Sequence, residues 1–171
     1  MNLLNLLKRT MRMTHKSIIY PIFLPHAGCP FLCVYCNQRA VTSVSPAISS
    51  SDVASCFRQQ FGQILTIAQE RCAQGELAFY GGTFTALSPP LVEEILETVA
   101  PWVHAGTFSG IRFSTRPDRM TENISSRLKD YPIATVELGV QSFVDEVLAL
   151  TRRGYTGETA EKAALLVQRH G

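Results

Sequence analysis

The residues with the clearest chemical meaning lie on one short stretch, Gly-Cys-Pro-Phe-Leu-Cys-Val-Tyr-Cys-Asn-Gln over 28–38. It carries Cys29, Cys33 and Cys36 in the spacing C-x3-C-x2-C. Thiolates are soft ligands that suit iron–sulfur clusters or zinc. Three of them on one loop can hold three corners of a [4Fe–4S] cube and leave one iron open, as a catalytic zinc keeps an open position. Zinc would need a fourth ligand, and His26, Cys56 and Cys72 are the options. Cys56 and Cys72 fall on or beside the apolar stripe of a predicted helix, where a thiol is a small core hydrophobe. A structural zinc site usually shows two ligand pairs, and one cluster of cysteines is visible. A fortuitous run of cysteines is the third reading.

Three further stretches carry groups that could serve such a site. Phe79-Tyr80-Gly81-Gly82-Thr83-Phe84-Thr85 contains glycines that let a ligand approach the backbone, though an ordinary tight turn uses the same residues. Ser114-Thr115-Arg116-Pro117-Asp118 offers Arg116, whose guanidinium suits bidentate carboxylate binding or an ion pair with Asp118. Glu137-Leu138-Gly139-Val140-Gln141-Ser142 places a carboxylate in an apolar run. Glu137 therefore needs a polar cavity or a partner, with Arg112 and Arg116 the candidates. Strand alternation puts Glu137, Gly139 and Gln141 on one face.

The elements that must position these residues alternate in type. Ser17 to Leu24 reads as a buried β-branched strand. After the cysteine loop, Ser49, Ser50 and Ser51 offer caps to a long helix with the stripe Val53, Phe57, Phe61, Ile64, Leu65, Ala68 and Cys72. Glu76–Tyr80 is a strand, and Ser88-Pro89-Pro90 opens a second helix with Leu91, Val92, Ile95, Leu96, Val99 and Val103. Gly110–Ser114 is a third strand, Thr121–Leu128 a helix, and Ile133–Val140 a fourth strand. Ser142 and Asp145 resemble a capping box before Val144–Leu150, and Thr156 caps a last helix. Four strand–helix units imply parallel strands with right-handed crossovers, in a barrel or a doubly wound sheet. In such folds chemistry gathers at the carboxyl ends of the strands, where all four stretches above fall.

Together these blocks resemble the radical S-adenosylmethionine (SAM) enzymes. The resemblance covers about Ile18 to Gly171, with the blocks in family order. It implies a partial (β/α)6 barrel, a [4Fe–4S] cluster on Cys29, Cys33 and Cys36, and reductive cleavage of SAM to a radical that abstracts hydrogen from a substrate. It implies further that Gly81, Gly82 and Thr83 meet the methionine ammonium, that Tyr35 packs near adenine and that Gln141 bonds the ribose. Ser114, Arg116 and Glu137 complete the implied SAM site, Arg116 toward the carboxylate or the substrate. The four blocks look most like the branch holding the Elongator catalytic subunit and oxygen-independent coproporphyrinogen oxidase, with STRPD and ELGVQS on the Elongator side. By that likeness tRNA is a candidate substrate and flavodoxin or ferredoxin a candidate electron donor. Two departures stand out. The glycine motif carries Thr83 where the family commonly has an acid, and Arg152-Arg153-Gly154-Tyr155-Thr156 has Tyr155 where histidine is common. No role is carried over to Tyr155, and nothing resembles the acetyltransferase domain of the Elongator subunits. A zinc- or iron–sulfur-binding structural or electron-transfer module is the alternative of another class.

Composition narrows the setting. The chain has 171 residues, 46% hydrophobic and 18% charged, which fits a compact domain and excludes a disordered one. A net charge of +2 argues against a dedicated membrane or nucleic-acid surface but is compatible with a local basic patch. Five cysteines, an odd number, suit a reducing cytoplasm better than a disulfide scaffold. Residues 1–16 read as a tail or weak helix with the wrong order for a secretory signal, and Met11 or Met13 could be the start. No window reaches the ~20 apolar residues of a membrane span. Residues 17–171 form the core, expected to be C-terminally truncated. Four units of an expected six are present, and Gly171 follows a helix where a fifth strand would begin. An exposed sheet edge and poor solubility are the expected consequences.

Overall fold

The computed structural model describes residues 18–24, 29, 33–36, 49–71 and 74–170. The expected N-terminal tail, His26, Cys72 and the terminal Gly171 lie outside them. Four strands, β1 (Ile18–Phe23), β2 (Gly75–Tyr80), β3 (Gly110–Thr115) and β4 (Ile133–Leu138), form one parallel sheet in sequential order. Parallel neighbours need a crossover between them. These are α1 (Ser50–Arg71), α2 (Pro89–His104) and α3 (Glu122–Leu128). After β4 come α4 (Asp145–Leu150) and α5 (Gly157–His170). The architecture is an α/β partial barrel, the form that the family resemblance implies and one of the two that the alternation left open.

The two faces of the sheet differ. Tyr20, Ile22, Leu77, Phe79, Ile111 and Phe113 point from β1–β3 into one core with Val53, Phe57 and Phe61 of α1 and Leu91, Ile95 and Val99 of α2. An aromatic row runs through it. Phe79 and Phe113 flank Phe84 at ring separations of 5.1 and 5.0 Å, and Phe57 stacks on Phe61 at 5.6 Å. Each such pair is worth about 0.5–1.5 kcal/mol beyond its buried area. The opposite face carries Glu76, Tyr80, Arg112 and Glu137.

Local chemistry sets the helix starts. Ser49 Oγ accepts from Asp52 N at 3.2 Å, while the Asp52 carboxylate accepts from Ser49 N at 3.2 Å. This reciprocal pair closes the first turn of α1, and the Ser49 hydroxyl, donating to the Asp52 carboxylate at 2.6 Å, and then the Ser49 N–H hold the Asp52 carboxyl below its ordinary pKa. Thr121 and Thr156 cap α3 and α5 through their hydroxyls.

Two sequence expectations need correction. β4 ends at Leu138, not Val140, because the chain turns there: Val140 N donates back to Leu138 O, and Gln141 takes a left-handed φ of 68°. The Ser142–Asp145 capping box does not form. α4 begins at Asp145, and Val144 precedes it with no side-chain cap. Asp145 instead accepts from Gly157 N at 2.7 Å, so the first turn of α5 takes its carboxylate.

Candidate functional site at the strand carboxyl ends

Pairing of β1 with β2 continues past both strands, since Leu24 N donates to Tyr80 O at 2.8 Å. The next residue of β2's loop, Gly81, has φ +103°, and a Cβ there would stand 2.2 Å from Leu24 O. No side chain fits, so Gly81 is required by the close approach of two backbones before any ligand is considered. Gly82, Thr83 and Ser114 line a crevice of about 10 Å³ between the ends of β2 and β3. Below it, Thr85 and Thr115 share a buried hydroxyl contact at 2.6 Å, and Thr85 donates to Arg119 O at 2.6 Å. That bond sews the second loop to the third.

Of the cysteine loop, Cys29 and residues 33–36 are described, and both parts make contacts near these ends. Cys29 Sγ lies 3.2 Å from Thr83 Oγ1, joining the cysteine loop to the glycine motif across 54 residues of sequence. Cys33 is buried at 8% exposure, and Cys36 is exposed. A turn closes between the last two, with Cys36 N donating to Cys33 O at 3.0 Å. Val34 N donates to Thr151 O at 3.3 Å, which ties the loop to the end of α4. Among the described residues no three His, Cys, Asp or Glu side chains converge closely enough for one metal ion. A four-iron cube spaces its thiolates more widely than one ion does. Soft thiols on a single loop, beside buried cations, are a donor set that fits such a cube. Cys56 belongs elsewhere. Its Sγ faces Phe23 O at 3.9 Å and accepts from Gln60 at 3.1 Å, in the seam between α1 and β1.

Two arginines converge on Cys33. Arg116, 4% exposed, donates through Nε to Asp118 Oδ1 at 2.8 Å and through Nη2 to Asp118 Oδ2 at 3.3 Å. Its Nη1 lies 3.9 Å from Cys33 Sγ, and Nη2 also donates to Arg153 O. The ion pair with Asp118 is thus the one that forms, and it takes up the fork of the guanidinium. Arg153, 6% exposed, donates through Nη1 to Cys33 Sγ at 3.3 Å. Burial alone would lower the Arg153 pKa, but bonds to Tyr155 and Cys33 raise it above its ordinary value. Tyr155 braces the pair. Its hydroxyl donates to Val140 O at 2.6 Å, and its ring centre lies 5.2 Å from the Arg116 guanidinium carbon and 5.1 Å from that of Arg153.

Glu137 finds its partner in Arg112. Arg112 Nη1 donates to Glu137 Oε1 at 2.6 Å, and its Nε and Nη2 grip Glu76 at 2.9 and 3.2 Å. Both carboxylates raise the Arg112 pKa, Glu76 the more. Tyr80 adds a bond from its hydroxyl to Glu137 Oε1 at 3.3 Å. Burial first, and the Glu137 carboxylate second, push its phenol above the usual value. Tyr35 is 49% exposed, and its phenol is pushed up first by burial of what remains, then by Cys33 against the lowering pull of Arg153. Gln141 is exposed beyond β4 in its left-handed conformation.

Sequence reasoning missed two members. Arg153 was visible in the Arg-Gly-Tyr-Thr stretch but lacked a geometric reason to reach Cys33, 120 residues earlier. Glu76 reads as an ordinary residue at a strand start, and only its register beside Arg112 reveals its part. No helix among the described residues is long and apolar enough to cross a membrane.

The model of the radical SAM superfamily matches residues 23–171. The chain is 26% identical over 172 residues to a tRNA uridine(34) acetyltransferase of Dehalococcoides mccartyi (strain CBDB1), covering 84% of this chain and 37% of that protein. A solved structure of archaeal Methanocaldococcus infernus Elp3 with an N-terminal deletion covers 86% of this chain and 34% of its own, at 19% identity and a TM-score of 0.49. The chain therefore spans about a third of the length of these relatives.

Proposed function

Given that the chain belongs to the radical SAM superfamily, we propose that its cysteine loop holds a [4Fe–4S] cluster and that SAM binds beside it. The observation that carries this reading is the junction of Cys29 with Thr83, which brings the cysteine loop and the glycine motif into one site. A bound cluster would supply the electron that cleaves SAM to methionine and a 5′-deoxyadenosyl radical. Within the proposal Cys29, Cys33 and Cys36 are the cluster ligands. The backbone of Gly81, Gly82 and Thr83 takes the ammonium end of SAM, with Ser114 on the same crevice. Tyr35 and Gln141 are the adenine and ribose partners, both accessible to a ligand at the strand ends. Arg116 enters with its fork already on Asp118, so its part is to supply positive charge rather than a fresh bidentate pair. Glu137 enters as half of the Arg112 pair, its side chain still 39% exposed toward the polar face.

The substrate class to test first is tRNA, because the curated relative is named for uridine 34 of tRNA. Flavodoxin or ferredoxin is the donor class for the electron, and the cytoplasm the compartment where such a cluster survives. Residues 17–171 are proposed as one radical SAM core.

Anaerobic reconstitution with iron and sulfide is expected to give a brown protein that releases 5′-deoxyadenosine with dithionite and SAM. Cys33→Ala is expected to lose the cluster and that product, while Cys56→Ala keeps both. A colourless protein holding stoichiometric zinc would overturn the reading. Equal iron loss in the two variants would overturn the ligand assignment.

A further inference from the structure

Arg153 carries a buried charge. Among the described residues no carboxylate lies within ion-pair distance of it. Its guanidinium bonds go to Cys33 Sγ at 3.3 Å, to Tyr155 Oη at 3.1 Å from Nε and 3.0 Å from Nη2, and to Gly139 O. Neutral acceptors satisfy its hydrogen bonds but do not balance its charge, and a buried charge without a counterion is costly. Arg116 beside it differs, since Asp118 answers its charge at 2.8 Å. The site therefore holds an excess of positive charge, and it is directed at the Cys33 sulfur, which takes one of the Arg153 donors at 3.3 Å. Tyr155 fixes the arrangement. Its hydroxyl is held by Val140 O at 2.6 Å, so the oxygen that orients two of Arg153's donors cannot drift.

We propose that Arg153, braced by Tyr155, is a positioning residue that stabilises negative charge on the Cys33 sulfur and so raises the reduction potential of the cluster which that thiolate holds. The inference rests on the cluster assignment of the preceding section. Hydrogen bonds to the sulfurs and the local net charge are among the determinants of iron–sulfur potentials. A cluster that has gained one electron carries one more negative charge than its oxidised form. A fixed cation at the sulfur favours the reduced form, and its removal lowers the potential.

The test uses the whole chain, reconstituted anaerobically and titrated with dithionite, the one-electron signal being followed by electron paramagnetic resonance. Arg153→Gln keeps a donor but removes the charge, and its midpoint is expected to move to lower potential. Arg153→Lys keeps the charge and is expected to stay close to the unsubstituted protein. Tyr155→Phe frees the guanidinium and is expected to shift in the same direction as Arg153→Gln, by less. Arg58→Gln removes an exposed cation on α1 and is expected to leave the midpoint in place. Arg153→Gln with full iron and an unmoved midpoint would overturn the proposal, as would equal shifts in Arg153→Gln and Arg153→Lys. If Arg153→Gln retains no iron while Arg153→Lys does, the requirement for charge is supported. Loss of iron from both, with unchanged melting curves, counts against it. A colourless unsubstituted protein would instead fail the cluster assignment itself, which separates the two failures.

Discussion

The two faces of the same four-stranded sheet are held by different forces. On the helix-covered face Phe57, Phe79, Phe84 and Phe113 bury their rings in contact, and dispersion and the hydrophobic effect dominate. On the other face Glu76, Arg112, Glu137 and Tyr80 form one hydrogen-bonded network across β2, β3 and β4. The first face is non-directional and tolerates many shapes of apolar side chain. The second is directional and loses most if Arg112, the member shared by both carboxylates, is removed, because the carboxylates keep their charges. Stability is concentrated on one side of the sheet, and specific polar geometry on the other.

Four substitutions test that contrast. Phe79→Ala strikes the centre of the aromatic row and is expected to cost about 3–5 kcal/mol in denaturant unfolding. A loss below about 1 kcal/mol would mean that the row is not the main source of stability. Arg112→Met removes the cation between two carboxylates and leaves Glu76, with a side chain 13% exposed, without this partner. A loss of about 2–3 kcal/mol is expected, smaller than for Phe79 because solvent reaches the network. A neutral result would show that the polar face adds little to folding.

Glu137→Gln is milder, since Arg112 keeps Glu76, and is expected to cost about 1 kcal/mol or less. Its sharper readout is pH. The Tyr80 phenol is raised from 10.0 by burial and then by the Glu137 carboxylate. Tyr80's folded pKa exceeds its unfolded one, so its contribution to stability is present below about pH 10 and lost as pH rises through the folded value. In the difference spectrum against Tyr80→Phe, Glu137→Gln is expected to lower the phenolate midpoint. The midpoint stays above 10.0, because burial, the larger cause, remains. An unmoved midpoint would break the link between the two residues. Smallest of all, Arg58→Ala removes an exposed pair with Glu94 at 2.6 Å, and a change of no more than about 0.5 kcal/mol is expected.

Most of the order of elements was legible, for a physical reason. Apolar stripes such as Val53, Phe57 and Phe61 repeat at helical spacing, and runs such as Leu77–Phe79 fill a buried strand between turn residues. The misreadings fall where local signals compete with distant partners. Val140 is apolar and β-branched, yet the backbone turns at Gly139 before reaching it. Asp145 has the residue type for a capping box, yet Gly157 N, twelve residues on, is the donor that reaches it.

The sequence by itself determined the cysteine spacing, the glycine that must follow β2 and the alternation that sends all the candidate residues to one end of the sheet. These are properties of short windows, set by residue type and period. Only the tertiary structure decided which arginine serves which partner. Arg112 lies beside Glu76 and Glu137 through the register of β2, β3 and β4. Arg116 turns to Asp118, and Arg153 reaches Cys33 through the packing of the turn after α4 against the cysteine loop. Charge pairing depends on distance in space, and a sequence in which Arg153 and Cys33 stand 120 residues apart carries no measure of that distance.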